Sequence, residues 1–179
     1  TFAQFGSRLM AQNGEIISEG IRSSFADMAY TSQIVTVAPA ADKGHAPHAA
    51  VAHEFKGAES EPVQDGPAPW EKGARRSFEE EMRNELLWLF DYMRKNKLQG
   101  ITQALSGGAD SAYNAAKVRV MVELAFNELG VEGFLGAMPH LTYKKEIQAA
   151  HAAGGKDAAL DECMRHMLTC VYMGTDNSS

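Results

Sequence analysis

The clearest hydrophobic pattern in the chain runs over residues 77–97, where apolar side chains recur at steps of three and four residues. This spacing places them on one face of a helix. The members of this apolar face are Phe78, Met82, Leu86, Leu89, Phe90 and Met93. Ser77 stands three residues before Glu80, which is the spacing of a capping box, and this predicts that the helix begins at Ser77. Trp88 lies off the stripe, where it is either an exposed aromatic or part of a second surface.

A short strand, a glycine turn and a long helix follow. Residues 101–105 carry little charge, which predicts a strand, and residues 106–111 read Ser-Gly-Gly-Ala-Asp-Ser. The run over 112–129 is apolar on most sides, so we expect a largely buried helix that packs on a parallel sheet and ends at Gly130. Residues 168–173 predict a second strand, parallel to the first and joined to it by a right-handed crossover.

Weaker signals separate this helix from the second strand. Residues 134–139 predict a short strand or loop, residues 149–155 a segment that is flexible in composition, and residues 157–166 a short helix. Three histidines are spread over the region without the spacing of metal ligands, so we expect them to be hydrogen-bonded or exposed. They are His140, His151 and His166.

The beginning of the chain is predicted to be β structure. Residues 7–12 and 15–20 flank the dipeptide Asn13-Gly14, which is the strongest short-range signal for a hairpin. Residues 34–37 are a further strand candidate because they are rich in β-branched side chains. Two or three strands form a poor core by themselves, so this part of the chain needs sheet from elsewhere.

The composition changes over residues 39–69, which hold five of the six prolines and show no lasting period. This is typical of a linker, and it predicts three parts, residues 1–38, residues 39–69 and residues 70–179. The linker also contains a group of histidines whose spacing fits no zinc motif, so we favour solvated side chains over a metal site. They are His45, His48 and His53.

Composition is that of an ordinary globular protein, with 45% hydrophobic and 22% charged residues among 179. The formal net charge of −6 gives no support to a nucleic-acid surface, and no apolar run reaches the length of a membrane span. Cys163 and Cys170 are predicted to be buried, reduced thiols, which favours a cytoplasmic location. Because the chain starts at Thr1 without methionine and stops just after a predicted strand, we expect a piece of a longer protein.

The glycine turn has the chemistry of an anion site. Successive glycines allow conformations that side chains would forbid, so N–H groups can converge into a nest, and the next helix adds the positive end of its dipole. Ser106 and Ser111 can donate hydroxyl hydrogen bonds to phosphate oxygens. Asp110 would be repelled by bare phosphate, so we expect it to hold a bridging Mg²⁺. The alternative is an ordinary turn with Asp110 or Ser111 as the helix N-cap.

The turn resembles Ser-Gly-Gly-x-Asp-Ser, the pyrophosphate loop of the ATP pyrophosphatases, and it lacks the lysine of a Walker loop. That family includes NAD synthetases, GMP synthetases, asparagine synthetases and some tRNA-modifying enzymes. The resemblance implies an α/β domain with a parallel, Rossmann-like sheet of the adenine nucleotide alpha hydrolase type, with ATP and Mg²⁺ as ligands and Asp110 holding the metal. It also implies that the ATP pyrophosphate is held by Ser106, Gly107, Gly108, Ala109, Asp110 and Ser111.

Two other stretches narrow the resemblance. The hairpin pattern at residues 7–20 resembles the closing hairpin of the nitrilase-like amidase fold, and residues 168–179 resemble the second strand and following loop of glutamine-dependent NAD synthetases. By that match, Met173 would lie against the adenine. The cysteine, lysine and glutamate that hydrolyse glutamine in such enzymes would lie upstream of Thr1, so no catalytic residue is identified in this chain.

The resemblance implies a ligase that adenylates the nicotinate carboxylate of deamido-NAD and amidates it to NAD with ammonia from glutamine, releasing AMP and pyrophosphate. We expect the parent chain to form a homo-oligomer and this chain alone to be inactive, and we expect neither nucleic acid nor a membrane as partner. Two alternatives stay open: another amidotransferase of the family, such as a GMP synthetase, and an ATP-binding module without catalysis. A purely structural domain would leave the glycine turn unexplained.

Overall fold

The structure is a computed structural model that describes residues 8–35, 66–172 and 174. The described residues group into two compact units. The hairpin unit comprises residues 8–22, 30–35 and 66–68, and the helical unit comprises residues 23–29, 69–172 and 174. The domain boundaries expected from the sequence stay a prediction.

The hairpin unit contains the predicted hairpin. Strands β1 (Leu9–Gln12) and β2 (Glu15–Glu19) pair antiparallel around Asn13 and Gly14, whose φ angles are 54° and 86°. Positive φ at both central residues is the geometry for which Asn-Gly is favoured. The further strand expected at residues 34–37 is wrong in its described half, since residues 34 and 35 lie outside any strand. Branched side chains favour a strand only where a neighbouring strand pairs with them.

Helix α1 (Arg76–Asn96) begins one residue earlier than expected. The position before it is Arg75, and no side chain caps the helix there, so the predicted capping box at Ser77 is wrong. The backbone makes the entry instead, because a short 3₁₀ helix leads into a turn in which the N–H of Arg76 donates to the carbonyl of Gly73 at 3.1 Å. Ser77 therefore lies inside the first turn of α1.

The apolar face of α1 is buried only from its middle onward. Leu86, Phe90 and Met93 are fully buried, whereas Phe78 is 74% exposed and does not belong to the core as predicted. Phe78 lies in the first turn of α1, ahead of the stretch whose side chains are buried. Trp88 is 39% exposed and stacks on another aromatic ring of α1, with 5.2 Å between the ring centroids.

The helical unit contains the predicted parallel pair. Strand β3 (Ile101–Leu105) pairs with β4 (Leu168–Tyr172) in parallel, with Ile101 opposite Leu168 and Leu105 opposite Tyr172. Their partly buried residues Ile101 and Leu168 pack against the core formed by the helices. The short parallel sheet with its helices is an α/β arrangement compatible with a Rossmann-like fold. The right-handed crossover stays a prediction.

Two long helices connect these strands. Helix α2 (Ala109–Ala137) is interrupted at Gly130, where φ is 70°, and helix α3 (Lys144–Met167) is interrupted at Gly155, where φ is 73°. Gly130 therefore breaks the helix as predicted, but the chain resumes helical geometry up to Ala137.

Two expectations for this region are wrong. The strand or loop expected at residues 134–139 is helical through residue 137, because Val131, Phe134 and Leu135 have helical spacing and are all buried. The flexible segment expected at residues 149–155 is helical through residue 154, which agrees with the high helix propensity of its alanines. The short helix expected at residues 157–166 is confirmed as the second half of α3.

The core of the helical unit is formed by three helices, and one of the two cysteines of this unit differs from expectation. Its fully buried side chains include Leu86, Phe90, Met93, Met121, Val122, Phe134, Met138, Ile147 and Met167. Both cysteines are free, as predicted. Cys163 is buried, and burial raises the pKa of its thiol to about 12. Cys170 is exposed instead of buried, because it lies on β4, most of whose residues are exposed.

Among the helices of the described ranges, none combines the length and the apolar character that a membrane span requires.

Candidate functional site

The glycine turn lies at the carboxyl end of β3, as the sequence predicted. Ser106 follows the strand directly, Gly107 has φ 81°, and Gly108 is the residue that precedes α2, with φ −88° and ψ 167°. In open α/β sheets, ligands bind beyond the carboxyl ends of parallel strands. The turn, here called the glycine loop (residues 106–111), is therefore at the edge of the sheet where a ligand is expected.

The two hydroxyl groups of the glycine loop bond mainly to the loop itself. Ser111 Oγ accepts a hydrogen bond from the Ser106 N–H at 3.3 Å and donates one to the Gly108 carbonyl at 3.1 Å. Ser106 Oγ accepts one from the Gly108 N–H at 3.4 Å and lies 3.3 Å from Ser111 Oγ. Ser111 is only 8% exposed. It therefore holds the shape of the loop, whereas the exposed Ser106 is the hydroxyl that can turn to a ligand.

The helix that follows the glycine loop begins with N–H groups that have no acceptor within the helix. The first intrahelical bond runs from the Ala112 N–H to the Gly108 carbonyl at 3.3 Å. The N–H groups of Ala109, Asp110 and Ser111 come before it, and such groups have no acceptor within a helix. Residues 106–110 are exposed. The start of α2 thus has the free donors and the dipole end that favour an anion.

The N-cap alternative for this turn is wrong. Gly108 occupies the cap position and no side chain bonds to the helix start there. Asp110 lies in the first turn of α2 and is exposed. A carboxylate in a first turn is favoured by the helix dipole, and in this position it is also free to contact a cation outside the loop.

The two loop glycines are needed for different reasons. Gly107 has a left-handed conformation, which side chains rarely adopt, although a Cβ there would have no atom within 4 Å. Gly108 has extended dihedral angles open to any residue, and a Cβ there would meet only Ser106 Oγ, at 3.5 Å. The expectation that both glycines serve the backbone conformation is therefore wrong for Gly108. Its missing side chain leaves open space immediately before the start of α2.

The second strand ends beside the glycine loop. In the parallel register, Tyr172 at the end of β4 is opposite Leu105 at the end of β3. The two carboxyl ends therefore lie at one edge of the sheet, as predicted. Met173, expected to lie against adenine, falls outside the described residues.

The sequence did not reveal a cleft between α1, β3 and α2. It has a volume of about 560 Å³, and its walls include Trp88, Gln103 and Lys117. Lys117 Nζ donates to Glu85 Oε2 at 2.9 Å and lies 4.7 Å from the centre of the Tyr113 ring. The position of Trp88 off the apolar stripe of α1 was the signal that could have indicated a second surface.

The described histidines behave as expected. His140 Nε2 lies 3.0 Å from the Leu98 carbonyl oxygen, His166 Nε2 lies 3.0 Å from Glu162 Oε1, and His151 is exposed. Within residues 8–35 and 66–172, no group of three or more His, Cys, Asp or Glu side chains is placed to hold a metal. The linker histidines at residues 45, 48 and 53, which were expected to be solvated, fall outside the described residues.

Comparison with curated proteins finds two relatives at significant similarity. A glutamine-dependent NAD(+) synthetase of Oryza sativa subsp. indica is 27% identical over an alignment 193 residues long, which covers 97% of this chain and 25% of that protein. An NH(3)-dependent NAD(+) synthetase of Mycoplasma genitalium is 40% identical over 58 residues, which cover 32% of this chain and 21% of that protein. Both relatives are NAD(+) synthetases. No family model matches the chain, and no solved structure matches it significantly.

The two relatives agree on one enzyme class and differ in the ammonia source that their names give. They support a relationship between this chain and the NAD synthetases, which are ligases. The chain spans about a quarter of the length of the curated relatives it matches. The activity of the whole protein, its substrates and its partners therefore belong to the proposal that follows.

Proposed function

We propose that this chain forms part of a glutamine-dependent NAD synthetase and contributes the loop that holds the pyrophosphate of ATP. The observation that supports the proposal is the glycine loop, whose exposed N–H groups lie at the carboxyl end of β3 and at the start of α2. The similarity to two NAD(+) synthetases supports the choice of enzyme.

The residues of the glycine loop would divide the work of holding ATP. The N–H groups of Ala109 and Asp110 and the hydroxyl of Ser106 would face phosphate oxygens, while Ser111 would keep the loop in shape through its hydrogen bonds to Ser106 and Gly108. Asp110 would hold Mg²⁺, an ion that in nucleotide sites is bound by one or two carboxylates together with substrate phosphates. The chemistry that Mg²⁺ would supply there is neutralisation of the negative charge on pyrophosphate.

The reaction follows from the weakness of a carboxylate as an acyl donor. An oxygen of the nicotinate carboxylate of deamido-NAD attacks the α-phosphorus of ATP, and the bond to pyrophosphate breaks. Ammonia then attacks the carbonyl carbon of the acyl adenylate, AMP leaves, and the amide of NAD is formed after loss of a proton. The glycine loop acts in the first step, where pyrophosphate departs, because donors fixed in position stabilise charge that develops during the reaction.

The proposal assigns the ammonia supply to a part of the protein outside this chain. The hairpin of β1 and β2 is the closing hairpin of a nitrilase-like glutaminase domain, whose cysteine, lysine and glutamate lie upstream. The adenine of ATP lies against Met173, and the complete enzyme is a cytoplasmic homo-oligomer.

The substitution Asp110→Asn tests the metal role. It should weaken binding of Mg²⁺–ATP more than binding of AMP, because AMP lacks the pyrophosphate that the metal bridges. Calorimetric titration of both ligands measures the difference. Asp157→Asn is the control, since Asp157 is also exposed, lies in the helical unit and comes soon after a positive-φ glycine, Gly155. Equal losses for Mg²⁺–ATP and AMP would mean that Asp110 only supports the start of α2.

A product assay tests the proposed reaction. This chain alone, incubated with deamido-NAD, Mg²⁺–ATP and an ammonium salt, should not form NAD at a significant rate, because groups that position deamido-NAD lie outside it. Loss of such positioning can remove up to about 7–11 kcal/mol of barrier lowering. The intact parent should form NAD from the same mixture. Formation of GMP from xanthosine monophosphate by the parent would favour the related GMP synthetase instead.

A further inference from the structure

One segment of the helical unit comes from a distant part of the sequence. Residues 23–29 belong to the helical unit, although the residues on both sides of them belong to the hairpin unit. Phe25 is 5% exposed, and its ring meets Phe90 of α1 edge-to-face, with 5.2 Å between centroids. The next three residues, 26–28, are exposed. Residues 23 and 24 are half-buried, so Phe25 is the one buried side chain of the segment, which is the geometry of an anchor in a pocket.

A carboxylate of α2 recognises the residues just before this anchor. Glu128 Oε1 accepts a hydrogen bond from the Ser24 hydroxyl and another from the Phe25 N–H, the second at 2.9 Å. Ser24 Oγ also accepts a bond from the Ala26 N–H at 3.1 Å, which folds the segment into a tight turn. Glu128 therefore contacts both a hydroxyl and a backbone donor, and this fixes the position of the turn on α2.

A cation of α1 contacts the residues just after the anchor. Arg94 donates through Nη1 to Asp27 Oδ1 and through Nη2 to Asp91 Oδ1, the second at 2.9 Å. The same guanidinium lies 6.0 Å from the centre of the Phe90 ring, against which Phe25 packs. The groove thus has an acid on one side of the aromatic pocket and a base on the other. Only a segment with donors before its aromatic residue and an acid after it satisfies both sides.

We propose that the groove formed by Phe90, Arg94 and Glu128 is a peptide-binding site that residues 23–29 of this same chain fill. Its ligand is a short segment with a hydroxyl residue, an aromatic residue next to it and an acidic residue two positions later. This inference does not depend on the nucleotide chemistry proposed above. It has two consequences: the segment undocks without unfolding the helical unit, and a vacated groove binds the same sequence supplied as a separate peptide.

The experiment adds a fluorescein-labelled peptide of residues 21–30 to the full chain and follows anisotropy. The Phe25→Ala chain, whose own segment has lost its anchor, should bind the peptide in a saturable manner. The unchanged chain should bind it about tenfold or more weakly, because its groove is already filled. The Met28→Ala chain is the matched control, since Met28 lies in the same segment and is 78% exposed, and it should behave as the unchanged chain does.

A peptide carrying the Phe25→Ala change should bind neither chain. The proposal is overturned if a folded Phe25→Ala chain, checked by circular dichroism, does not bind the peptide, or if it binds with the same affinity as the unchanged chain.

Amide hydrogen exchange keeps the proposal testable if Phe25→Ala does not fold. In the unchanged chain, the Phe25 N–H should be protected but should exchange faster than the buried amides of α1. Glu128→Gln should speed exchange at Phe25 about tenfold and leave the α1 amides unchanged, because it weakens only the docking contact. If the Phe25 amide exchanges at the same rate as the α1 amides in both proteins, the segment is an integral part of the core and the proposal is contradicted. A Phe25 amide without protection would contradict it as well.

Discussion

The two ends of β3 carry glycines that serve opposite purposes. At the amino end, a Cβ on Gly100 would lie 2.7 Å from the Met167 carbonyl oxygen, so the glycine is required by close packing of backbone on backbone. At the carboxyl end, Cβ atoms on Gly107 and Gly108 would meet open space or a single hydroxyl. The same residue type therefore closes one end of the strand and keeps the other end open.

Polar contacts reinforce the closed end. Gln99 Nε2 donates to the His140 carbonyl at 2.7 Å, and Gln99 Oε1 accepts from the Thr142 N–H at 3.0 Å. The Tyr143 hydroxyl donates to the Gln99 carbonyl at 2.6 Å. These bonds fix the turn between α2 and α3 to the start of β3. At the open end, residues 106–110 are exposed. An added methyl group should therefore cost stability by collision at the closed end, whereas at the open end it should act through backbone conformation at Gly107 and through binding at Gly108.

Gly100→Ala should have the largest effect on stability. The added methyl group collides with a backbone oxygen that cannot rotate away, so the loss in the free energy of unfolding should approach about 3 kcal/mol, the upper part of the range for overpacking. Urea unfolding measures it. Gly136→Ala is the control, because a Cβ at Gly136 would have no atom within 4 Å. Similar unfolding free energies for the two variants would contradict the closed character of this end.

Gly107→Ala should have the next largest effect. Space is available for the methyl group, but the residue must keep its left-handed conformation, which costs about 1–2 kcal/mol for a residue with a side chain. Gly107→Asn should lose less, because asparagine visits this conformation more readily. Equal losses for alanine and asparagine would mean that the loop relaxes to another conformation and that φ at Gly107 is not fixed.

Tyr143→Phe should destabilise the chain by about 1 kcal/mol, because it removes one hydrogen bond at the closed end. Tyr113→Phe, at a 50% exposed tyrosine, is the control.

The effect of Tyr143 should also depend on pH. Burial, with a smaller contribution from Cys163, raises the pKa of the Tyr143 hydroxyl above its ordinary 10.0. The unfolded chain loses this proton first, so the stabilisation is complete below pH 10.0 and falls as the pH rises above it. Tyr143→Phe should show a shallower alkaline loss of stability than the unchanged chain. The same alkaline slope in both proteins would assign the loss to other groups, such as Cys163.

Local patterns predicted the elements whose signal lies in neighbouring residues. The hairpin follows from Asn13-Gly14, and β3 and its glycine loop follow from one short stretch of sequence. The position of Phe78 could not be predicted in this way, because burial depends on which part of α1 the other helices cover. The exposure of Cys170 likewise depends on which strands lie beside β4.

The candidate site was predicted by residue but not by role. Ser106 and Ser111 are equivalent in the motif, and only the fold shows that Ser111 bonds inward to the loop. Gly107 and Gly108 are likewise indistinguishable in the sequence, and their different dihedral angles are seen only in the structure. The groove that receives Phe25 could not be predicted at all, because the contacting residues are distant in the sequence. Phe25 and Glu128, which share a hydrogen bond, are 103 residues apart.

Gly108→Ala gives the smallest expected change in stability and the sharpest test of the comparison. Alanine fits the extended dihedral angles of Gly108, and its Cβ would lie at an ordinary 3.5 Å from Ser106 Oγ, so the free energy of unfolding should change by less than about 0.5 kcal/mol. The methyl group would nevertheless occupy open space immediately before α2, where the proposed anion binds. Binding of Mg²⁺–pyrophosphate should therefore weaken about tenfold or more, which corresponds to roughly 1.4 kcal/mol. Calorimetric titration and urea unfolding on the same protein separate the two quantities. Unchanged affinity in a stable Gly108→Ala chain would show that the anion does not approach this backbone, and the open end of β3 would then need another explanation.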